Sequence, residues 1–133
     1  MSYNRRMVPL FQKQQSYVLS CEAMIQFLDE VFAKLPKEKE DKIIEKLKVS
    51  VLTIPQLIAE AFCRKNLREI FESNINEAKS QCENAILLFH FLQENLSPYV
   101  NSLLVEDLIS KYFQINQELD KNLGEVVYGQ NQY

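Results

Sequence analysis

Apolar residues recur at alternating steps of three and four along most of this chain, the spacing that lines one face of an α-helix. From about Pro9 to Leu35 the stripe reads Phe11, Val18, Cys21, Ile25, Leu28, Phe32 and Leu35, with Gln14 in the one gap. Met24 and Val31 widen it. Lys34-Leu35-Pro36-Lys37 then breaks the helix, because a residue before proline avoids the α region. A second stripe, Ile44, Leu47, Val51, Ile54, Ile58 and Ala61, occupies about Glu38 to Arg64. Glu38, Glu40 and Asp41 stand at its start, where carboxylates complement the helix dipole. The third segment, about Leu67 to Asn95, has unbroken four-three spacing through Phe71, Ile75, Ala78, Cys82, Ala85, Phe89 and Leu92. Its small members Ala78, Cys82 and Ala85 admit a close neighbour. Asn95-Leu96-Ser97-Pro98 ends it. The fourth stripe, from about Asn101 to Leu123, is Leu104, Leu108, Tyr112, Ile115 and Leu119, and Gly124 stands where a helix-ending C′ residue belongs.

Pro55 lies inside the second segment, yet the apolar stripe continues in phase across it. An interior proline removes a backbone donor and clashes with the carbonyl four residues back, at a cost of about 3 kcal/mol. The expectation is a kink that bends the helix without ending it. Four helices of about 23 to 29 residues, roughly 35 to 43 Å long, predict an all-α, up-down-up-down four-helix bundle with a proline kink in the second helix. Residues 1–123 form the bundle and residues 124–133 a short flexible tail. A domain-swapped or open helical oligomer built from the same seams is the alternative architecture.

Composition narrows the chemistry. Both glycines, Gly124 and Gly129, fall in the last ten residues. Tight hairpins, phosphate-cradling loops and nucleophile elbows rely on glycine, so those folds and sites are excluded. Cys21, Cys63 and Cys82 are odd in number and far apart. Met1–Arg6 is basic and leads into an amphipathic segment rather than an apolar signal core. The expectation is a soluble cytoplasmic protein with free thiols and no membrane span. The net charge of −3 divides unevenly: residues 1–68 carry 12 Lys/Arg against 8 Asp/Glu, and residues 69–133 carry 3 against 10. Such halves pair within one bundle or between subunits.

Candidate sites are few. His90, the sole histidine, reads as flanking the core, because no nucleophile or carboxylate is evidently set against it. Glu69, Glu72, Glu77 and Glu83 lie off the seam and read as a solvated face, without the Glu-x-x-His pattern of carboxylate-bridged metal bundles. Cys21 and Cys82 fall on seams and read as buried, inert thiols. Cys63, beside Arg64 and Lys65, is a candidate activated thiol. Glu60 reads either as a partly buried carboxylate meeting an arginine of a neighbouring helix or subunit, or as a surface pair with Arg64. Arg64, Lys65 and Arg68 gather at the link between segments two and three. They are the one plausible phosphate-contacting surface, open equally to ordinary solvation or inter-subunit pairing. No catalytic residue, metal or cofactor site or small-molecule substrate is expected, so the chain reads as a non-enzyme.

At Thr53-Ile54-Pro55-Gln56-Leu57-Ile58-Ala59-Glu60 the sequence resembles the small four-helix-bundle proteins encoded in ribosomal-RNA intervening sequences. Their relatives include the accessory variability determinant proteins of diversity-generating retroelements. The family phrase is Ser-Ile-Pro-x-Asn-Ile-Ala-Glu-Gly followed by an arginine-containing link; here Leu57 stands for the asparagine and Ala61 for the glycine. Leu35-Pro36-Lys37-Glu38 and Glu69-Ile70-Phe71 match as well, so the likeness spans about residues 9–123. It implies a homo-oligomeric, pentamer-like ring, Pro55 and Glu60 as motif or inter-subunit residues, and, for the retroelement branch, binding to RNA or a reverse transcriptase. Two functions follow as expectations: an oligomeric bundle assisting a nucleic-acid process through Arg64, Lys65 and Arg68, or an adaptor presenting its acidic second half to other proteins.

Overall fold

The computed structural model describes residues 13–36, 42–96 and 98–130. Four helices pack against one another: α1 Gln15–Gln26, α2 Lys42–Cys63, α3 Arg68–Asn95 and α4 Ser102–Gln130. Among the described residues there is no strand. Phe11 and the carboxylates Glu38, Glu40 and Asp41 lie outside the described residues.

Helix α3 buries the whole seam read from its spacing, with Phe71, Ile75, Ala78, Cys82, Ala85, Phe89 and Leu92 all in the core. Helix α2 does the same with Ile44, Leu47, Val51, Ile54, Ile58 and Ala61. Pro55 stands inside this continuous helix and is itself buried. On α4 the buried residues are Val105, Leu108, Ile109, Tyr112, Ile115, Leu119 and Asn122, so the uppermost inward position is Val105 and Leu104 is half-buried. The Asn101 carboxamide oxygen caps α4, accepting from the Leu103 and Leu104 amides at 3.0 and 3.3 Å; this satisfies two of the donors a helix start leaves open.

Two expectations need correction. The first helix does not bury the Val18–Cys21–Ile25–Leu28 stripe. Its inward residues are Ser16, Ser20, Ala23, Phe27 and Val31, while Ile25 is 54% exposed and Cys21 is half-buried. Serine marks this face because it meets a polar partner: the Ser16 hydroxyl donates to Asn122 Oδ1 at 2.8 Å, and both are buried. Beyond Gln26 the backbone takes one π turn, Phe27–Val31, and then a 3₁₀ turn, Phe32–Lys34. The wider π turn accommodates the four-residue steps from Ala23 to Phe27 to Val31, which a regular helix would rotate out of the core. Leu35 is extended (φ −76°, ψ 135°), as a residue before proline should be. The second correction is at Gly124, which does not stop α4: the helix runs through it to Gln130, and no glycine among the described residues has positive φ.

Contacts between helices fix their relative heights. Across α1 and α4, Ser16 meets Asn122, and Gln26 Nε2 donates to Asp107 Oδ2 at 3.1 Å. Across α2 and α3, Phe62 meets Phe71 edge-on at 5.1 Å and the Ser50 hydroxyl donates to Gln81 Oε1 at 2.8 Å. Across α3 and α4, Lys79 pairs with Asp120 and Gln93 donates to the Ser102 carbonyl. Phe27 lies edge-on to Phe89 at 5.7 Å, which joins α1 to α3 through the middle of the bundle.

Candidate functional site

The link between α2 and α3 is where the sequence gathers its cations, and its shape follows from its hydrogen bonds. The Arg64 amide is shared between the Glu60 and Ala61 carbonyls at 3.2 and 3.1 Å, which tightens the end of α2. The Leu67 amide then closes a turn on the Arg64 carbonyl at 2.9 Å, and the Phe71 amide returns to the Leu67 carbonyl at 2.9 Å. Below the turn, the buried Phe62–Phe71 pair anchors both helices. Every residue from Cys63 to Ile70 is therefore pushed outward and exposed.

The structure brings Arg64, Lys65 and Arg68 to this one edge, in unequal states. Arg68 Nε is bound to Glu72 Oε1 at 2.8 Å, one turn along α3. Lys65 Nζ stands 5.9 Å from the centre of the Phe62 ring, within cation–π range. Among the described residues Arg64 and Lys65 enter no ion pair, and none joins Glu60 to Arg64, although both are exposed. Pro55 is placed in the interior, away from this edge. Leu67 and Ile70, exposed beside the cations, give the edge an apolar margin.

The other candidates separate. His90, Glu69, Glu77 and Glu83 are exposed on α3, and Glu72 serves Arg68. Among the described residues no three His, Cys, Asp or Glu side chains gather into a metal-holding group. Cys82 is fully buried, and that burial pushes its thiol up to about 12. The same desolvation, with Cys82 close by, raises the Tyr112 hydroxyl above its ordinary value. Both groups are held neutral in the core. The Tyr112 hydroxyl and Asn116 Oδ1 are buried without a hydrogen-bond partner among the described residues.

The thiols should report this arrangement directly. A maleimide reagent at neutral pH is expected to modify exposed Cys63 rapidly and to leave Cys82 untouched until the protein unfolds. A rise from 9.0 to about 12 lowers the thiolate fraction of Cys82 roughly a thousandfold, apart from steric protection. Labelling of Cys82 in the native protein at a rate near that of Cys63, read by peptide mass spectrometry, would contradict the packing described above.

A second class of surface residue escaped the sequence reading. Val49 and Leu87 are more than half exposed along the α2/α3 margin, and Leu103 and Phe113 on the outer side of α4. Their signal was present, as large apolar residues off every seam. No helix among the described residues is long and apolar enough to cross a membrane. Comparison with protein-family models, with curated proteins and with solved structures finds no match to this chain.

Proposed function

We propose that the chain is a non-enzymatic, self-assembling helical bundle that assists a nucleic-acid process by contacting RNA, or a reverse transcriptase and its RNA, through Arg64, Lys65 and Arg68. The observation that carries this reading is the gathering of all three cations on one outward-facing link, with Arg64 and Lys65 outside any ion pair among the described residues. Free guanidinium and ammonium groups on a protruding edge suit phosphate contact, which is read through counterion release. The resemblance at Thr53–Glu60 points the same way and suggests a ring of copies.

The bundle is up-down-up-down. Supporting this are the opposed runs of cross-helix partners, such as 16 with 122 and 26 with 107, or 62 with 71 and 50 with 81. Pro55 kinks α2, since the proline leaves the Val51 carbonyl without its usual donor. Free cysteines, one of them exposed, suit a reducing cytoplasm.

Filter binding to structured RNA at low salt is the test. Wild type is expected to retain RNA, and Arg64→Ala/Arg68→Ala to bind more weakly with a salt slope shallower by roughly two. No retention by wild type, or retention unchanged in the double variant, overturns the RNA role of this edge.

One observation favours a second reading, an adaptor that binds proteins through its acidic half. Leu103 and Phe113 are exposed on α4 among Glu106, Asp107 and Asp120, an apolar and acidic face of the kind proteins use against basic partners. Co-purification of a polymerase or RNA would favour the first reading, and of other proteins through a Phe113-dependent contact the second.

A further inference from the structure

Two surfaces of the chain leave large apolar side chains uncovered at the same height on different sides of the bundle. The first is a groove of about 540 Å³ between α2 and α3, walled by Val49, Leu87 and Leu88 with Glu45 and Lys46 at its rim. Val49 is 59% and Leu87 67% exposed. Each stands one position off its helix's buried seam, so the two side chains flank the helix junction without filling it. Lys46 lines this groove beside Glu45, and Lys42, exposed one turn before Lys46 on α2, adds a second cation to the same helix face. The second surface is the outer face of α1 and its π turn. There Ile25 stands exposed among Glu22, Asp29 and Glu30. Among the described residues none of those three carboxylates enters an ion pair.

The heights follow from contacts. Phe27 touches Phe89, so Ile25 is level with Leu87, two residues before each ring. Lys48 Nζ lies 4.6 Å from the Phe32 ring centre, which holds the Val49 turn of α2 against the end of α1. A second copy displaced sideways, with no slide along the helices, therefore brings its Ile25 to the Val49–Leu87 groove.

We infer that the α1 face carrying Ile25, Glu22, Asp29 and Glu30 docks into the α2/α3 groove of a second copy of this chain. Ile25 enters between Val49 and Leu87, and the carboxylates meet Lys42 and Lys46. The occupant is another copy because the α1 face carries three carboxylates while the α2 side of the groove sets Lys42 and Lys46 against Glu45, and both surfaces display uncovered aliphatic carbons. Because the contact joins two different faces, each copy keeps one free face and one free groove, and assembly proceeds head to tail into a closed ring or a filament. The inference rests on the self-assembly proposed above and names the surfaces that perform it.

The test uses two half-blocked chains. Ile25→Glu spoils the face and leaves the groove; Leu87→Glu spoils the groove and leaves the face. Both positions are exposed, and unchanged helical circular dichroism with a cooperative melt confirms folding. By light scattering, wild type is expected to be oligomeric and each variant alone to have single-chain mass. An equimolar mixture is expected to stop at two chains, since only one intact face and one intact groove remain to meet. If either variant fails to fold, Lys42→Glu/Lys46→Glu takes its place, with reassembly expected on adding Glu22→Lys/Asp29→Lys. Wild-type oligomers that persist in both variants overturn this interface and leave self-assembly standing. A monomeric wild type overturns self-assembly itself, and a mixture that remains monomeric overturns the head-to-tail pairing.

Discussion

Phe89→Ala is expected to lower the unfolding free energy by about 3–5 kcal/mol, the loss that follows when a fully buried phenylalanine is truncated. The side chain is fully buried and joins three helices at once. Its ring is edge-on to Phe27 of the π turn at 5.7 Å and tilted against Tyr112 of α4 at 5.8 Å. Truncation removes the transfer free energy of a phenyl group and both ring pairs, each worth about 0.5–1.5 kcal/mol. It also opens a cavity that cannot readily close. The neighbours one turn away on α3 are Ala85 and Leu92, and the facing rings are themselves held by helix backbones. Urea unfolding followed by circular dichroism gives the number. Phe113→Ala, at a half-exposed position, is expected to stay within about 1 kcal/mol of wild type. A loss below about 1.5 kcal/mol for Phe89→Ala would mean that these rings are not the centre of the core.

The second large effect appears in alkali. Cys82 is held protonated in the folded chain up to about 12, against 9.0 for an ordinary thiol, chiefly because burial disfavours the thiolate. Between those pH values the unfolded chain has released the proton and the folded chain retains it. The unfolded state then binds fewer protons, so stability falls as pH rises, by about 1.4 kcal/mol per pH unit. Stability from this source is complete below pH 9 and declines above it. Tyr112, also raised by burial, adds a second loss of the same sign above about pH 10. Between pH 8 and pH 10.5 the wild type should therefore lose about 2 kcal/mol from Cys82 alone. Cys82→Ala removes that proton, and its urea midpoint should fall far less over the same interval. Parallel declines in the two proteins would show that the thiol is not protected by the fold.

Legibility from sequence varied with the kind of partner each helix face meets. On α2 and α3 most buried positions are aliphatic or aromatic, so every member of the four-three stripes from Ile44 to Ala61 and from Phe71 to Leu92 is in the core. The spacing missed only Ser50, Pro55, Phe62 and Ile86 beside them. On α1 the inward face opposite Asn122 is Ser16, Ser20 and Ala23, and no hydropathy pattern distinguishes a buried serine from a solvated one. Of the apolar residues of that helix, Ile25 faces outward while Tyr17, Leu19 and Met24 are only partly buried against the core. The π turn shifts the register in a way a 3.6-residue period does not anticipate. Gly124 misled for a related reason. Glycine at a helix end often takes positive φ, but a glycine inside a helix costs only about 1 kcal/mol and leaves no mark in the sequence to tell the two apart. The basic link was legible as a cluster. What was not is its internal division, in which Glu72 engages Arg68 while Lys65 lies over Phe62. Those pairings depend on rotamers and on how the chain turns at Asn66.

The serines of α1 carry a consequence for how the molecule opens. Ser16, Ser20 and Ala23, the fully inward residues of α1, remove little apolar surface from water, and Tyr17, Leu19 and Met24 are only partly buried against the core. The large fully inward side chains, Phe27 and Val31, lie in the π turn. Helices α2, α3 and α4, by contrast, share the bulk of the aliphatic and aromatic core. Opening free energies track buried apolar area, so they are lowest where that area is least. The first two turns of α1 are accordingly the sub-global unit that opens first. They hinge at the π turn and leave a three-helix remainder, with Phe27 still seated on Phe89.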